Sequence, residues 1–242
     1  MQSIAALAAS GGAAATSPLP KFALVVLDIG GTIIQDRGDV PVAVRKAFEK
    51  HGIDVEPSDI ARWRGASKRE MVQHLVELRT KRPAVDQAKL IEAIYKDFSA
   101  NLDEAYRNAE PIDGAEEAFV AMRARGLLLA TTSGFDRELT ASMFRRLGWE
   151  KYFVATISGQ DVPLGRPAPF MLFRAMEAAR VIRVSEVAAV GDTPFDLQAA
   201  NNAGLGGAIG VLSGAGTREA MQKEKHTLLI ESVAVLPAAL GA

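Results

Sequence analysis

Two short runs of this chain concentrate residues able to do chemistry: Asp28-Ile29-Gly30-Gly31-Thr32 and Gly191-Asp192-Thr193-Pro194-Phe195-Asp196. The first sets a carboxylate before paired glycines, which permit a tight turn and close backbone approach to a ligand. Taken singly, Asp28 reads as a turn former, and Asp192 and Asp196 read as turn and N-cap residues of a helix that starts there. Taken together, hard oxygen ligands at two strand ends suit magnesium (Mg2+). Its charge would screen a phosphoryl dianion so that a carboxylate can attack it. Asp28 is then the candidate nucleophile. Asp192 is a candidate metal ligand, joined by Asp28 and the carbonyl of Gly30, with Asp196 behind them. Ser133 with the amide of Gly134, and Arg166 with its planar fork, could hold the equatorial oxygens.

These residues need a scaffold that brings them together, and the flanking pattern supplies one. A strand buried on both faces of a parallel sheet reads as a continuous apolar run. Residues 22–27 (FALVVL) form such a run and end at Asp28. Residues 127–131 lead to Ser133, and residues 187–190 lead to Gly191 and Asp192. Shorter strands are expected at 153–157, 207–212 and 228–230. Helical patterns separate them: one capped by Asp113 with Glu116 completing a capping box, one over 136–147 closed by Gly148, and one over 167–180. Alternating strands and helices predict an α/β fold, a doubly wound, Rossmann-like parallel sheet with right-handed crossovers. Ligands bind such sheets outside the carboxyl ends of the strands, where the candidate residues fall.

Residues 39–108 break the alternation. They carry helical patterns over 41–50, from Ser67 to before Pro83, and over 86–106, with no convincing strand. The expected organisation is a disordered N-terminal tail over 1–20, an α/β catalytic core over 21–36 and 109–242, and a small all-helical cap over 37–108, inserted after the first strand. The tail is rich in Ala, Ser and Gly but lacks the positive n-region of a signal peptide.

Composition narrows the function classes. The chain has 242 residues, 48% hydrophobic and 24% charged, the balance of a soluble globular protein. Lys+Arg 28 against Asp+Glu 29 leaves no basic excess for a nucleic-acid backbone, so no nucleic-acid partner is expected. The absence of cysteine removes disulfides, thiolate metal sites and a Cys nucleophile, and it fits a reducing, cytoplasmic setting. No apolar run approaches the roughly 20 residues needed to span a bilayer, so no membrane role is expected.

The four motifs, D-I-G-G-T (28–32), Ser133-Gly134, Arg166 and G-D-T-P-F-D (191–196), resemble in order those of the haloacid dehalogenase superfamily. The helical block falls where that family places its small cap. The resemblance covers the chain from Lys21 onward. It implies an Mg2+-dependent hydrolase that acts on a small phosphonate or phosphate, with Thr32 among the phosphoryl-binding residues. It also implies a homodimer that buries apolar cap surface.

Most phosphatases of this superfamily carry an acid two residues after the nucleophile, where this chain has Gly30. Three features resemble the phosphonatase branch, phosphonoacetaldehyde hydrolase and phosphonatase-like hydrolases: the small residue at Gly30, Arg166 in place of the usual Lys, and Lys68 following a glycine in W-R-G-A-S-K-R-E (63–70). The stretches 131–138 and 161–169 are similar as well. C–P cleavage leaves a carbanion, which needs an electron sink rather than a proton donor. A Schiff base between Lys68 and a carbonyl supplies that sink.

Lys68 must be neutral to attack, against an ordinary pKa near ~10.4. Ser67 and Glu70 read as a capping box that starts its helix, and the helix N-terminus with Arg64 and Arg69 is expected to favour the neutral amine. Without the other motifs, Lys68 reads as a solvated helix end. Relative to the branch, Arg64 stands in place of Met and Met71 in place of a His, while His74 faces another side of the helix. Arg64 could pair with an extra anionic group on the substrate. A related 2-oxo-alkylphosphonate is therefore an expected substrate. The competing expectation is an Mg2+ phosphomonoesterase of a small metabolite, in which Lys68 only binds phosphate. A non-catalytic binding protein is disfavoured by the full set of site residues, and a dehalogenase by the metal carboxylates.

Overall fold

The computed structural model describes residues 21–81 and 83–241. The tail expected over residues 1–20 lies outside the described residues. Six strands, β1 (Leu24–Asp28), β2 (Leu128–Ser133), β3 (Ala155–Ser158), β4 (Val187–Gly191), β5 (Gly207–Val211) and β6 (Leu228–Ile230), form one sheet. All neighbours are parallel in the order β3-β2-β1-β4-β5-β6, so the chain winds outward in both directions from β1. The central strands are buried throughout because helices cover both faces. On one face Val25, Leu27 and Ile29 join the larger core, and on the other Leu24 and Val26 join a second cluster. Register sets Asp28 opposite Thr132 and Leu27 opposite Val190, which aligns the carboxyl ends of β1, β2 and β4.

Between β1 and β2 lie α1 (Asp39–Lys50), α2 (Pro57–Ala61), α3 (Lys68–Arg79), α4 (Ala84–Tyr106) and α5 (Ala115–Ala124). The short α2, with Pro57 in its first turn, was not expected from the pattern because five residues carry too little periodicity. Helix α1 packs along α4, burying Val44 and Phe48 on one side and Ile94, Phe98 and Leu102 on the other. The two connections to this helical insert run side by side. Gln35 N donates to Glu110 O and Ile112 N to Ile33 O, each at 2.9 Å.

Two local expectations are corrected. Asp113 and Glu116 make no capping box: α5 starts after Gly114 at φ 77, and Glu116 instead accepts from Trp149 Nε1 at 3.2 Å and Tyr152 OH at 2.5 Å. The helix expected from Pro167 is α7 (Phe170–Ala179). Pro167 and Pro169 delay it, since the residue before a proline is pushed out of the helical region. The remaining helices are α6 (Arg137–Leu147), α8 (Pro194–Asn202), α9 (Arg218–Gln222) and α10 (Leu236–Ala239). Among the described residues, no helix is long and apolar enough to cross a membrane.

Candidate active site

The carboxyl edge of the sheet gathers the residues picked out by their motifs. Asp28 is the last residue of β1, Asp192 follows β4, and Asp196 sits in the first turn of α8; all three are buried. Their carboxylates each offer an oxygen within 4.8 Å of the others, a group that could hold a metal ion. Arg166 is buried among them. Its Nη1 lies 2.7 Å from Asp28 Oδ1 and also pairs with Asp196 Oδ1. Its Nε finds no partner among the described residues. Asp196 Oδ2 is occupied by the Thr193 amide at 3.0 Å and hydroxyl at 2.6 Å, so Asp196 braces the turn that carries Asp192.

Asp192 Oδ2 accepts from Ala215 N at 2.7 Å. Burial, and then the negative charge of Asp28, push its carboxyl up to about 7 against the help of that amide and of Arg166. Carboxylates crowded out of water and against each other favour a bound cation, and an all-oxygen donor set fits a hard one. Thr32 Oγ1 donates to Asp28 Oδ2 at 3.5 Å. Ser133 Oγ accepts from Phe135 N at 3.0 Å, which turns the chain at the end of β2 and leaves the hydroxyl proton free to donate. A Cβ on Gly30 would stand 3.3 Å from Phe135 Cζ, so a larger residue there meets an aromatic ring.

Lys68 comes from the insert and yet is only 8% exposed. Its Nζ lies 5.9 Å from the Phe135 ring centroid, and a Cβ on Gly134 would fall 3.5 Å from it. Burial, and then the Arg166 guanidinium, lower its pKa to about 8, while Asp28 and Asp192 pull the other way. The direction matches the sequence expectation, but the cause differs. Arg69 is turned to Glu92, and the exposed Arg64 donates to Ala215 O at 3.4 Å. Ser67 does cap α3, accepting from Glu70 N at 3.4 Å. The Glu70 carboxylate does not complete the box; it accepts from Gly165 N, across the interface, at 2.7 Å.

The insert sits so close to the sheet edge that side chains are excluded. A Cβ on Gly134 would meet Ala66 O at 2.5 Å, and one on Gly165 would meet Ser67 Cβ at 2.7 Å. Gly65, at φ +82, faces Thr193 in the same way. The resulting cleft is lined by Asp28, Lys68, Ser133 and Asp192, and also by Asp36, Trp63, Tyr106 and Phe135. Motif reading missed the last four as site residues. Trp63 and Phe135 fall inside the stretches 63–70 and 131–138, whose resemblance was the available signal, while Asp36 and Tyr106 reach the cleft from outside any motif.

This fold and site define a class of enzyme. A family model for haloacid dehalogenase-like hydrolases matches residues 22–204, and the chain belongs to that family of hydrolases. Phosphonoacetaldehyde hydrolase from Bacillus cereus is 27% identical over 222 residues, which span 86% of this chain and 82% of that protein. A phosphonoacetaldehyde hydrolase-like protein from Oleispira antarctica matches with TM-score 0.76 at 19% identity, covering 93% of this chain and 92% of its own. A protein from Haemophilus somnus described as a predicted phosphoglycolate phosphatase matches with TM-score 0.74 at 19% identity, covering 90% of this chain and 97% of its own. At such identities the two solved structures establish a shared fold.

Proposed function

We propose that this chain is an Mg2+-dependent phosphonatase-like hydrolase that cleaves the C–P bond of phosphonoacetaldehyde or a related 2-oxo-alkylphosphonate. The observation that carries the reading is the buried Lys68 amine, held beside Gly134 with its pKa lowered to about 8. The likeness to phosphonoacetaldehyde hydrolase supports it. The helices from Asp39 to Tyr106 serve as a cap that delivers Lys68 to the sheet edge. Neutral Lys68 attacks the carbonyl carbon, and loss of water leaves an iminium. Asp28 attacks phosphorus, and the electrons of the breaking C–P bond flow into the iminium to give an enamine. Protonation at carbon restores the iminium, whose hydrolysis frees the carbonyl product. Water then releases phosphate from the aspartyl-phosphate.

Arg166, Ser133 and the Gly134 amide hold phosphoryl oxygens, with Thr32 behind Asp28. Asp28, Asp192 and the Gly30 carbonyl would hold magnesium, which supplies positive charge against the phosphoryl dianion. Gly30 fits this chemistry, since an enamine leaving group needs no acid at that position.

The second reading is an Mg2+-dependent phosphomonoesterase of a small phosphorylated metabolite. It draws on the same placement of Lys68 beside Gly134, where an ammonium can bind a phosphoryl oxygen. Borohydride added during turnover separates the two. The phosphonatase reading expects inactivation and the substrate's carbon skeleton on the peptide containing Lys68, and loss of C–P cleavage in Lys68→Arg. No adduct, with activity kept in Lys68→Arg, hands the function to the phosphomonoesterase reading.

A further inference from the structure

The cleft has two unlike kinds of lining. Its floor carries Asp28, Asp192, Ser133 and Lys68, but the large side chains Val40, Ile60, Trp63, Met71, Tyr106 and Phe135 give the remaining lining an apolar wall. These six come from four helices of the insert, the segment after α2, and the turn after β2. Ile60, Met71, Tyr106 and Phe135 are buried, and Trp63 is half-buried with its ring held 4.8 Å from His74. The apolar wall begins at the lysine itself. Phe135 lies under Lys68 Nζ and packs on Tyr106 with ring centroids 4.8 Å apart. The charged residues of the cleft beyond the floor, Arg64 and Asp36, bond to backbone atoms of the same lining. Arg64 is exposed and turned to Ala215 O, and Asp36 is exposed and accepts from Gly38 N at 2.8 Å.

A two-carbon aldehyde bonded to Lys68 has only hydrogen on its carbonyl carbon to set against this wall. We propose that the substrate carries an apolar substituent on its carbonyl carbon, making it a 2-oxoalkyl- or 2-aryl-2-oxoethylphosphonate. The phosphonate rests on the carboxylate–Arg166 floor, the carbonyl carbon meets Lys68, and the substituent packs against Trp63, Met71 and Phe135. This deepens the phosphonatase reading and rests on it. It departs from an extra anionic group, because a carboxylate packed against Trp63, Met71 and Phe135 would be set against aromatic and aliphatic carbon.

The test is phosphate release from 2-oxoethyl-, 2-oxopropyl-, 2-oxobutyl- and 2-oxo-2-phenylethylphosphonate, and from the analogue with a carboxylate on the carbonyl carbon. Phosphate monoesters with matching tails run in parallel, and Kd is measured for ethyl-, butyl- and hexylphosphonate with Mg2+ present. Burial of each added methylene should raise kcat/KM roughly fourfold until the wall is filled. Alkylphosphonate Kd should fall by a similar factor, and Trp63→Ser should flatten both trends without lowering Tm by more than a few degrees. A flat series, or a best substrate bearing hydrogen or carboxylate on the carbonyl, overturns the proposal. If only the esters turn over and climb with tail length, the C–P reading fails while the apolar subsite stands. If phosphonates are cleaved with no climb, the reverse holds. If neither series turns over, the Kd trend decides.

Discussion

Glu70 Oε1 accepts the amide hydrogen of Gly165 at 2.7 Å, which ties the helix bearing Lys68 to the loop bearing Arg166. The bond crosses the interface where Gly134 and Gly165 leave no room for side chains. It therefore sets how closely the lysine approaches the sheet edge. Glu70→Ala should lower kcat/KM roughly ten- to hundredfold, the loss expected for a hydrogen bond to a charged acceptor, with little change in Tm. Glu70→Gln keeps an acceptor oxygen and should lose less than about tenfold. Steady-state kinetics on both variants check this, and an Ala variant with wild-type kcat/KM would show that the contact does not position Lys68.

The lowered pKa of Lys68, about 8, gives the pH profile a sign. Only the neutral amine attacks a carbonyl, so kcat/KM should rise with pH through about 8 and level off above it. Below that point each pH unit costs about tenfold, because the profile of kcat/KM reports the free enzyme. A profile flat from pH 6 to 9 would show that no step requires a neutral Lys68.

Asp28 and Asp196 share Arg166 but should fail differently. Asp28→Asn keeps the shape and leaves Arg166 paired with Asp196, so phosphate release should vanish while the urea midpoint hardly moves. Asp196→Ala strips Arg166 of a buried partner and removes the acceptor of the Thr193 amide and hydroxyl. It should cost about 3–5 kcal/mol, read from the urea midpoint at constant m. A chelator should abolish turnover, and Mg2+ should restore it and raise Tm. Full activity in chelator would remove the metal from the reading.

Gly30 is hemmed in by Phe135 Cζ, 3.3 Å from where a Cβ would stand. Gly30→Asp should therefore lower C–P cleavage without creating an efficient phosphatase. Combined with Phe135→Leu, the new carboxyl gains room, and ester hydrolysis should rise by up to roughly 10²-fold, the low end for a placed general acid. Ester assays on both variants decide it; an equal gain in the single variant would show that Phe135 is no obstacle.

The strands were legible because burial on both faces writes an unbroken apolar run, as in Leu24–Asp28 and Val187–Gly191, and a motif at each run's end then inherits its place at the sheet edge. Asp28, Ser133, Asp192 and Asp196 could therefore be grouped from the chain alone. Ser67 was also legible, since capping is decided within three residues. Tertiary structure decided what depends on distant partners. Glu70 leaves its own helix for Gly165, 95 positions away, and Glu116 leaves its box for Trp149 and Tyr152. A carboxylate with several donors in reach takes those that packing presents, and spacing does not encode them. The same holds for Lys68. Its lowered pKa comes from burial and from Arg166, 98 positions away in the chain, not from its neighbours Arg64 and Arg69. Desolvation belongs to the folded surroundings rather than to any window of residues, and so does the wall formed by Trp63, Tyr106 and Phe135.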